Sequence, residues 1–348
     1  MRSLQKSKLV LCFSLACYVY LPLTGRNTIA LVAKIKAGAL LFTRLLRIFA
    51  DLFCDMDLVI TYVNGNDPFW QSQYQKYTNT PILEKRFRDW GTLVYLFRGI
   101  ETFMPFIRKV HLVVSSPSQI PSWIDTQTVN IVLHEDIIPK EYLPTFNSNT
   151  IEMHLHKIKD LDEHYLYFND DIFPIAPLSE ETFFRNGKGV IRMSSHYFAC
   201  GMFKKICRNS DKMARKALSM RKSARFLRPQ HICAPMIRKE CETIYNLLEN
   251  EIKASLTRTR TEKNITQYMF TVYSYLKGKI INEKIAKKHF SAAVTSPYKI
   301  AKFINKPDCG LICINDVKLS SGRFTEFKEV LHNSFQAKFP KKSIYEKA

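Results

Sequence analysis

The chain has 348 residues, with 52 lysines and arginines against 31 aspartates and glutamates, a formal charge of +21. Hydrophobic residues make up 46% and charged residues 24%, a globular balance that excludes a disordered or fibrous chain and leaves room for one large or two smaller domains. The basic excess calls for an anionic partner (nucleic acid, a phospholipid surface or a phosphorylated substrate), unless in a Lys-, Ile- and Asn-rich chain it only reflects base composition.

Met1–Lys8 is basic, and Leu9–Gly25 is a 17-residue run without charge that contains Pro22. It has the n- and h-regions of a signal peptide but no clear cleavage site, and it is marginal for a membrane span, which takes ~20 apolar residues. In Thr28–Ala50, Leu41, Leu45 and Ile48 recur at helical spacing among Lys34, Lys36, Arg44 and Arg47. A basic amphipathic helix of this kind suits an interfacial anchor on an anionic membrane; the plain alternative is a helix packed on the core. Nine cysteines (12, 17, 54, 200, 207, 233, 241, 309 and 313) lack CxxC pairs and fit reduced thiols in a cytosolic setting better than a disulfide scaffold. Cys309 and Cys313 have the spacing to begin a zinc site, but no second pair follows.

Met56–Val63 (MDLVITYV) is a β-branched apolar run closed by Asn64-Gly65-Asn66-Asp67-Pro68, which reads as a buried strand entering a loop. Thr92–Phe103 has Leu93, Leu96, Phe97 and Ile100 on one helical face. Lys109–Ser115 and Val129–Leu133 are strands, Thr150–Lys157 reads as a helix, and His164–Phe168 is a strand running into Asn169-Asp170-Asp171. Alternating strands and helices argue for an α/β domain around a mostly parallel sheet. Arg185–Gln230 is the most basic stretch and poor in strand signal, as an insertion or helical cap over the site would be. His231–Gly278 is mainly helical, Gly310–Ile314 is a late strand ending in Asn315-Asp316, and Thr325–Lys342 is a closing amphipathic helix.

Ligands of open α/β sheets bind beyond the carboxyl ends of strands, where Asp170 and Asp171 stand. Adjacent carboxylates there hold a hard divalent cation that bridges phosphate oxygens, though Asp and Asn also cap ordinary turns. At the first strand end Gly65 would let backbone N–H groups approach a phosphate, while Asn64 and Asp67 could bind base, ribose or metal; an ordinary turn is the alternative. Glu152 and His156 are four apart, so a continuous helix would put them on one face, with His154 turned away. A carboxylate beside an imidazole makes a general base, or merely a solvated Glu–His pair. His231, Arg238, Arg258 and Arg260 are available to clamp phosphate oxygens, although in so basic a chain single arginines are mostly surface charge.

Four blocks occur in a recognisable order: DLVITYVNGNDPFW at Asp57–Trp70; RFRDWGTLVYLFRGIE, SSPSQIPSWI, LPTFNSNTIEMHLHKI and HYLYFNDDIF within Arg86–Phe173; a stretch from His231 to TRTRTEKNITQYMF; and GLICINDVK with FPKKSIYE in Gly310–Tyr345. Together they resemble the Stealth family, which includes bacterial capsular-polysaccharide phosphotransferases and the eukaryotic lysosomal-enzyme N-acetylglucosamine-1-phosphotransferase. The chain departs from the family pattern at Asn64, where Asp is frequent, at Thr92, Leu96 and Gly99, and at Asn264, where an acidic residue is common.

The resemblance implies transfer of a hexose- or N-acetylhexosamine-1-phosphate from a nucleotide-sugar, UDP-linked by expectation, to a hydroxyl of an acceptor glycan. The expected fold is Rossmann-like or GT-A-like, a mostly parallel sheet with a basic helical cap at 185–230, forming a transferase domain over 51–348 behind the basic, apolar segment 1–50. Asp170 and Asp171 are expected to hold a divalent cation, Mg²⁺ first, with Asn64 and Asp67 near the nucleotide or the same cation and Asn169 at the nucleotide. His156 oriented by Glu152 is the first choice of base and His231 the second; Arg260, Arg98 and Arg88 would offset diphosphate charge. Asn147, Asn315 and Asp316 match motif positions in either a ligand or a loop-holding role. The expected location is the cytoplasm, at the inner face of the cell membrane. A DxD-type glycosyltransferase is the nearest alternative; a nucleic-acid binder would need base-stacking aromatics on a known module, and none is visible, so no nucleic-acid partner is expected.

Overall fold

The computed structural model describes residues 56–78, 81–82, 87–315 and 319–348. The expectations for residues 1–50 and for Asp316 lie outside these residues. Strand β1 (Met56–Thr61) is buried almost throughout, as a run of apolar residues on both faces requires of a central strand. Strands β2 (Ile107–Val114) and β4 (His164–Asn169) flank it in parallel, and β3 (Val129–Leu133) pairs in parallel with β2. Strand β5 (Ile172–Pro174) follows directly. A small sheet unites β6 (Phe184–Arg185), β7 (Lys188–Val190) and β11 (Ile280–Ile281), and β8 (Met193–His196) pairs with β9 (Phe226–Pro229). Strand β10 (Ala234–Ile237) closes the main sheet antiparallel to β4, giving the order β10-β4-β1-β2-β3. After β3 the chain crosses back over β1, so the strand order reverses between β1 and β4, the crevice where α/β sheets bind ligands. This is the α/β, mostly parallel, Rossmann-like core that the alternation of elements predicts.

Helix α1 (Pro68–Tyr77) begins after the first loop, and α2 (Leu93–Phe103) buries Leu93, Leu96, Phe97 and Ile100 on the core as their spacing requires. Gly99 belongs to the contact with β5: a Cβ there would lie 2.5 Å from the Pro174 carbonyl oxygen. A second sheet is formed by β12 (Lys287–Ser291), β13 (Leu311–Asn315) and β5. The Asn169-Asp170-Asp171 turn is thus the corner at which the chain leaves one sheet and enters another.

Three sequence readings need correction. The helix expected over Thr150–Lys157 is broken into α3 (Ser148–Glu152) and a separate single turn at Leu155–Lys157. Arg185–Gln230 contains β7, β8 and β9, strands of three or four residues that are too short to show alternation, around α4 (Gly201–Ala217). The stretch from His231 to Gly278 holds helices α5 (Arg238–Leu247), α6 (Glu249–Ser255) and α7 (Tyr268–Leu276), but begins with β10, whose Pro235 hides an edge strand. Helix α8 (Pro297–Asn305) packs on the closing helix α9 (Ser321–Lys338). Among the described residues no helix is long and apolar enough to cross a membrane.

Candidate active site

At the switch point, Tyr62 and Val63 beyond β1 and Asp170 and Asp171 beyond β4 line an open cleft. Arg88, Asp89 and Trp90 form its far wall, backed by Ile314 of β13 and Leu331 of α9. The Arg88 guanidinium lies 4.4 Å from the centre of the Phe324 ring, so α9 holds it by a cation–π contact. Asp89 accepts the Gly91 N–H (2.8 Å) and hydrogen-bonds the Tyr62 hydroxyl; burial, then Asp89 and Asp170, raise the tyrosine's pKa and keep it a neutral donor.

The two-sheet corner explains the surroundings of Asp171. Its carbonyl accepts the Ile314 N–H (2.9 Å), which sets it against β13, and its Oδ2 accepts the Cys313 S–H (3.4 Å). Its Oδ1 is buried without a hydrogen-bond partner among the described residues. Burial, reinforced by Asp171, raises the Cys313 pKa and keeps the thiol protonated. His231 reaches the same place because β10 runs antiparallel to β4: the residues before β10 lie beside those after β4. Donor atoms of Asp171, His231 and Cys313 lie within 4.8 Å of one another, and the Tyr268 hydroxyl is 3.4 Å from His231 Nδ1. His231 is exposed, beside the more buried Asp171 and Cys313.

Other expected residues serve the frame. Asp67 caps α1 by accepting the Phe69 N–H, and its other oxygen accepts from Ser118 and Gln119 (both 2.7 Å). Gln119 also exchanges bonds with the Asn64 backbone, so the loops after β1 and β2 are tied together. The Gly65 N–H is not free for a phosphate: it donates to the Phe87 carbonyl (2.7 Å), and a Cβ at Gly65 would lie 2.2 Å from that oxygen. Asn169 accepts from the Tyr167 hydroxyl (3.0 Å) beside Thr61, bracing the ends of β4 and β1.

The Glu152–His156 pair is not formed, because the helix breaks between them. Glu152 is buried and accepts from Thr266 Oγ1 (2.5 Å) and the Gln267 N–H (3.1 Å); burial raises its pKa, and these bonds and Arg260 pull it back. His156 is buried between Tyr245 (rings 4.9 Å apart) and Phe270 (5.7 Å), its Nδ1 has no partner, and burial lowers its pKa to about 3. It is therefore a core histidine away from the cleft. Arg98 also leaves the donor set: it makes a two-pronged pair with Glu346 (2.8 Å each) and donates to the Phe339 carbonyl. Arg238 follows β10 at the opposite end of the sheet and bonds the Leu161 carbonyl; Arg258 bonds the Leu143 carbonyl.

Arg260 donates to Ser148 Oγ (2.6 Å) at the start of α3. The buried Asn147 caps α3, and its amide donates to Thr257, Thr259 and Asn264. Asn264 in turn donates to the Ser255 carbonyl and accepts the Thr261 N–H. Asn147 is thus a loop-holding residue, and the PTFNS and TRTRTEKN motifs are one interlocked unit. Asn315 ends β13 with its side chain exposed. Sequence reasoning missed Tyr62, Asp89 and Tyr268; the RDW run before a helical pattern, and the tyrosine directly after a buried strand, were the available signals.

The model of Stealth protein conserved region 2 matches residues 86–191. The receptor polysaccharide phosphotransferase WefC of Streptococcus oralis is 32% identical, over 75% of this chain and 90% of its own length. A capsular polysaccharide phosphotransferase of Haemophilus influenzae is 31% identical over 77% of this chain and 80% of its own, and WcwK of Streptococcus pneumoniae is 29% identical over 84% and 99%. Among solved structures, the galactosyltransferase LgtC with donor and acceptor sugar analogs aligns over 79% of this chain at 11% identity, with a TM-score of 0.32, too loose to bear on the chemistry. A parallel-sheet crevice lined by paired aspartates, with a histidine delivered by an antiparallel edge strand, has groups suited to group transfer. The chain belongs to the Stealth family of phosphotransferases.

Proposed function

We propose that this enzyme transfers a hexose- or N-acetylhexosamine-1-phosphate from a UDP-sugar to a hydroxyl of an acceptor glycan in capsular or cell-surface polysaccharide synthesis. The acceptor oxygen attacks the phosphorus that carries the sugar; the bond to the bridging oxygen breaks, a nucleoside monophosphate leaves, and a phosphodiester remains. The observation that carries this reading is the meeting of Asp171 and His231 at the switch point, in a chain of this family. His231, exposed beside Asp171 and set by Tyr268, is the group to take the acceptor proton. Arg88 in the cleft wall and Arg260 beside Ser148 are the cations suited to the diphosphate.

The aspartates also fit a divalent cation: Asp171 Oδ1 is a buried acceptor with no partner among the described residues, and Asp170 adjoins it. Asp170 and Asp171 would hold Mg²⁺, whose charge would offset that of the bound diphosphate. We place the enzyme at the cytoplasmic membrane face on the basic amphipathic pattern of Thr28–Ala50.

The test is incubation with UDP-sugars, Mg²⁺ and a hydroxyl acceptor, with mass spectrometry of the released nucleotide. UMP and a phosphodiester product are expected; UDP would replace this reading with glycosyl transfer. Chelation should abolish turnover and Mg²⁺ restore it. Asp171→Asn and His231→Gln should each lower kcat by about 10²-fold or more while the proteins remain folded.

A further inference from the structure

Among the described residues, three aromatic side chains stand exposed close together in sequence, Tyr197, Phe198 and Phe203. Tyr197 is 50% exposed, Phe198 77% and Phe203 47%; single exposed apolar residues are ordinary, but three aromatic ones grouped together mark a contact surface. They lie between the end of β8 and the first turn of α4. The rings of Tyr197 and Phe198 are 6.4 Å apart, and Phe203 meets Tyr268 edge-on at 6.2 Å. Tyr268 is the residue whose hydroxyl sits 3.4 Å from His231 Nδ1, so the exposed rings begin one aromatic side chain from the group assigned as base.

Their surroundings are strongly basic. Residues 196–230 contain ten lysines and arginines and one acid, Asp211, which is already paired with Arg215 (2.8 Å). The Arg225 guanidinium stacks 4.2 Å from the Tyr197 ring centre, and Arg208 donates to the Tyr197 carbonyl. Among the described residues, neither Arg208 nor Arg225 has a carboxylate partner. Guanidinium groups held against aromatic faces, with N–H groups left over, are suited to doubly bonded anionic oxygens such as those of a phosphodiester. An aromatic face with its negative quadrupole suits the C–H face of a pyranose ring.

We infer that Tyr197, Phe198 and Phe203, with Arg208 and Arg225, form a shelf that binds the already phosphodiester-linked part of the acceptor glycan. The inference rests on the phosphotransfer reading, in which each turnover leaves a phosphodiester on the acceptor glycan, so that repeated transfer builds an anionic chain of sugars and phosphodiesters. That chain is the one ligand that offers both ring faces and phosphate charges at the required place, since its reactive end must sit at His231. The shelf then makes a chain of several repeats a better acceptor than a single repeat. Anionic lipid and single-stranded nucleic acid share parts of this chemistry, but neither has a reason to end at the base.

The test compares the full-length enzyme with Phe198→Ala and Arg225→Glu, both changes at exposed side chains. Each is assayed for nucleotide release with synthetic N-acetylglucosamine-1-phosphate oligomers of one and of six repeats. The wild type should show the lower KM for the hexamer, and each variant should shift the hexamer-to-monomer KM ratio by about tenfold, with kcat for the hexamer little moved. An unchanged ratio overturns the shelf. So does loss of binding to phosphatidylglycerol vesicles or to oligo(U) with the ratio intact, which would mark a membrane or nucleic-acid face. Where neither oligomer is turned over, it is the phosphotransfer reading that fails on these acceptors. Hexamer binding followed by fluorescence anisotropy then decides the shelf directly: tenfold weaker binding by the variants supports it, and equal binding overturns it.

Discussion

Arg98 and Arg260 are arginines within neighbouring motifs, and their surroundings give them opposite duties. Arg98 fits both carboxylate oxygens of Glu346, with side chains only 12% and 5% exposed, and lies 5.4 Å from the Tyr95 ring centre. Burial pulls the Glu346 pKa up, but the bonds from Arg98 and Ser343 hold it below the usual carboxylate range. Removing one member of such a pair leaves the other charge buried and alone. Arg98→Ala should therefore lose about 3 kcal/mol in urea unfolding and keep the wild-type donor KM. A tenfold rise in donor KM at unchanged stability would return Arg98 to the diphosphate. Arg260, bonded among the described residues to a hydroxyl, keeps donors to spare, and its replacement should act on turnover more than on stability.

At the scale of elements, the site depends on how β1 is fixed among its neighbours. Asp57 in β1 is fully buried; its Oδ2 takes bonds from His111 in β2 (2.9 Å), Arg108 (2.8 Å) and the Asp162 N–H before β4 (2.9 Å). Burial alone would raise its pKa, and these donors hold it below the ordinary value. The stability this gives is complete above the unfolded-chain pKa of about 3.9 and is lost as pH falls toward the lower folded value. Asp57→Asn should be destabilised by about 3 kcal/mol at neutral pH, with a flatter dependence of urea midpoint on pH below about 4. An unchanged acid limb would assign it to other carboxylates. Gly65→Ala should also destabilise, by about 1–3 kcal/mol, because the new methyl group meets backbone oxygen rather than a yielding side chain.

The same scale explains what the sequence could reveal. Strands β1, β2 and β4 were legible because a doubly covered strand is a mostly apolar run, and α2 because its apolar stripe is regular. β10 was not, since four residues with a proline carry no periodicity, and with it went the reason that His231 lies beside Asp171. Glu152 and His156 have helical spacing, but nothing local records that the helix stops between them or that both are buried. Arg98 could not be assigned because its partner lies 248 residues along the chain.

For the whole molecule, the +21 charge is unevenly useful. Some of it is neutralised in the frame, as at Arg98, Arg108 and Arg215, while the 196–230 segment keeps a surplus beside the cleft. Exposed surplus charge attracts anionic ligands over a distance set by the salt. The kcat/KM for a six-repeat acceptor should fall several-fold between about 50 and 200 mM NaCl, and more steeply than for a single repeat. Parallel slopes would mean that the charge acts on the nucleotide donor alone.

The Asn147–Asn264 interlock has a consequence for the order of assembly. It joins residues 117 apart, and the Arg260–Ser148 bond joins residues 112 apart. Closing so long a loop costs chain entropy before any contact repays it, whereas α1 and α2 form from contacts nearby in sequence. The enzyme therefore acquires its fold before its competence: in refolding, the helical signal should recover first and turnover last, with Asn264→Ala widening the interval.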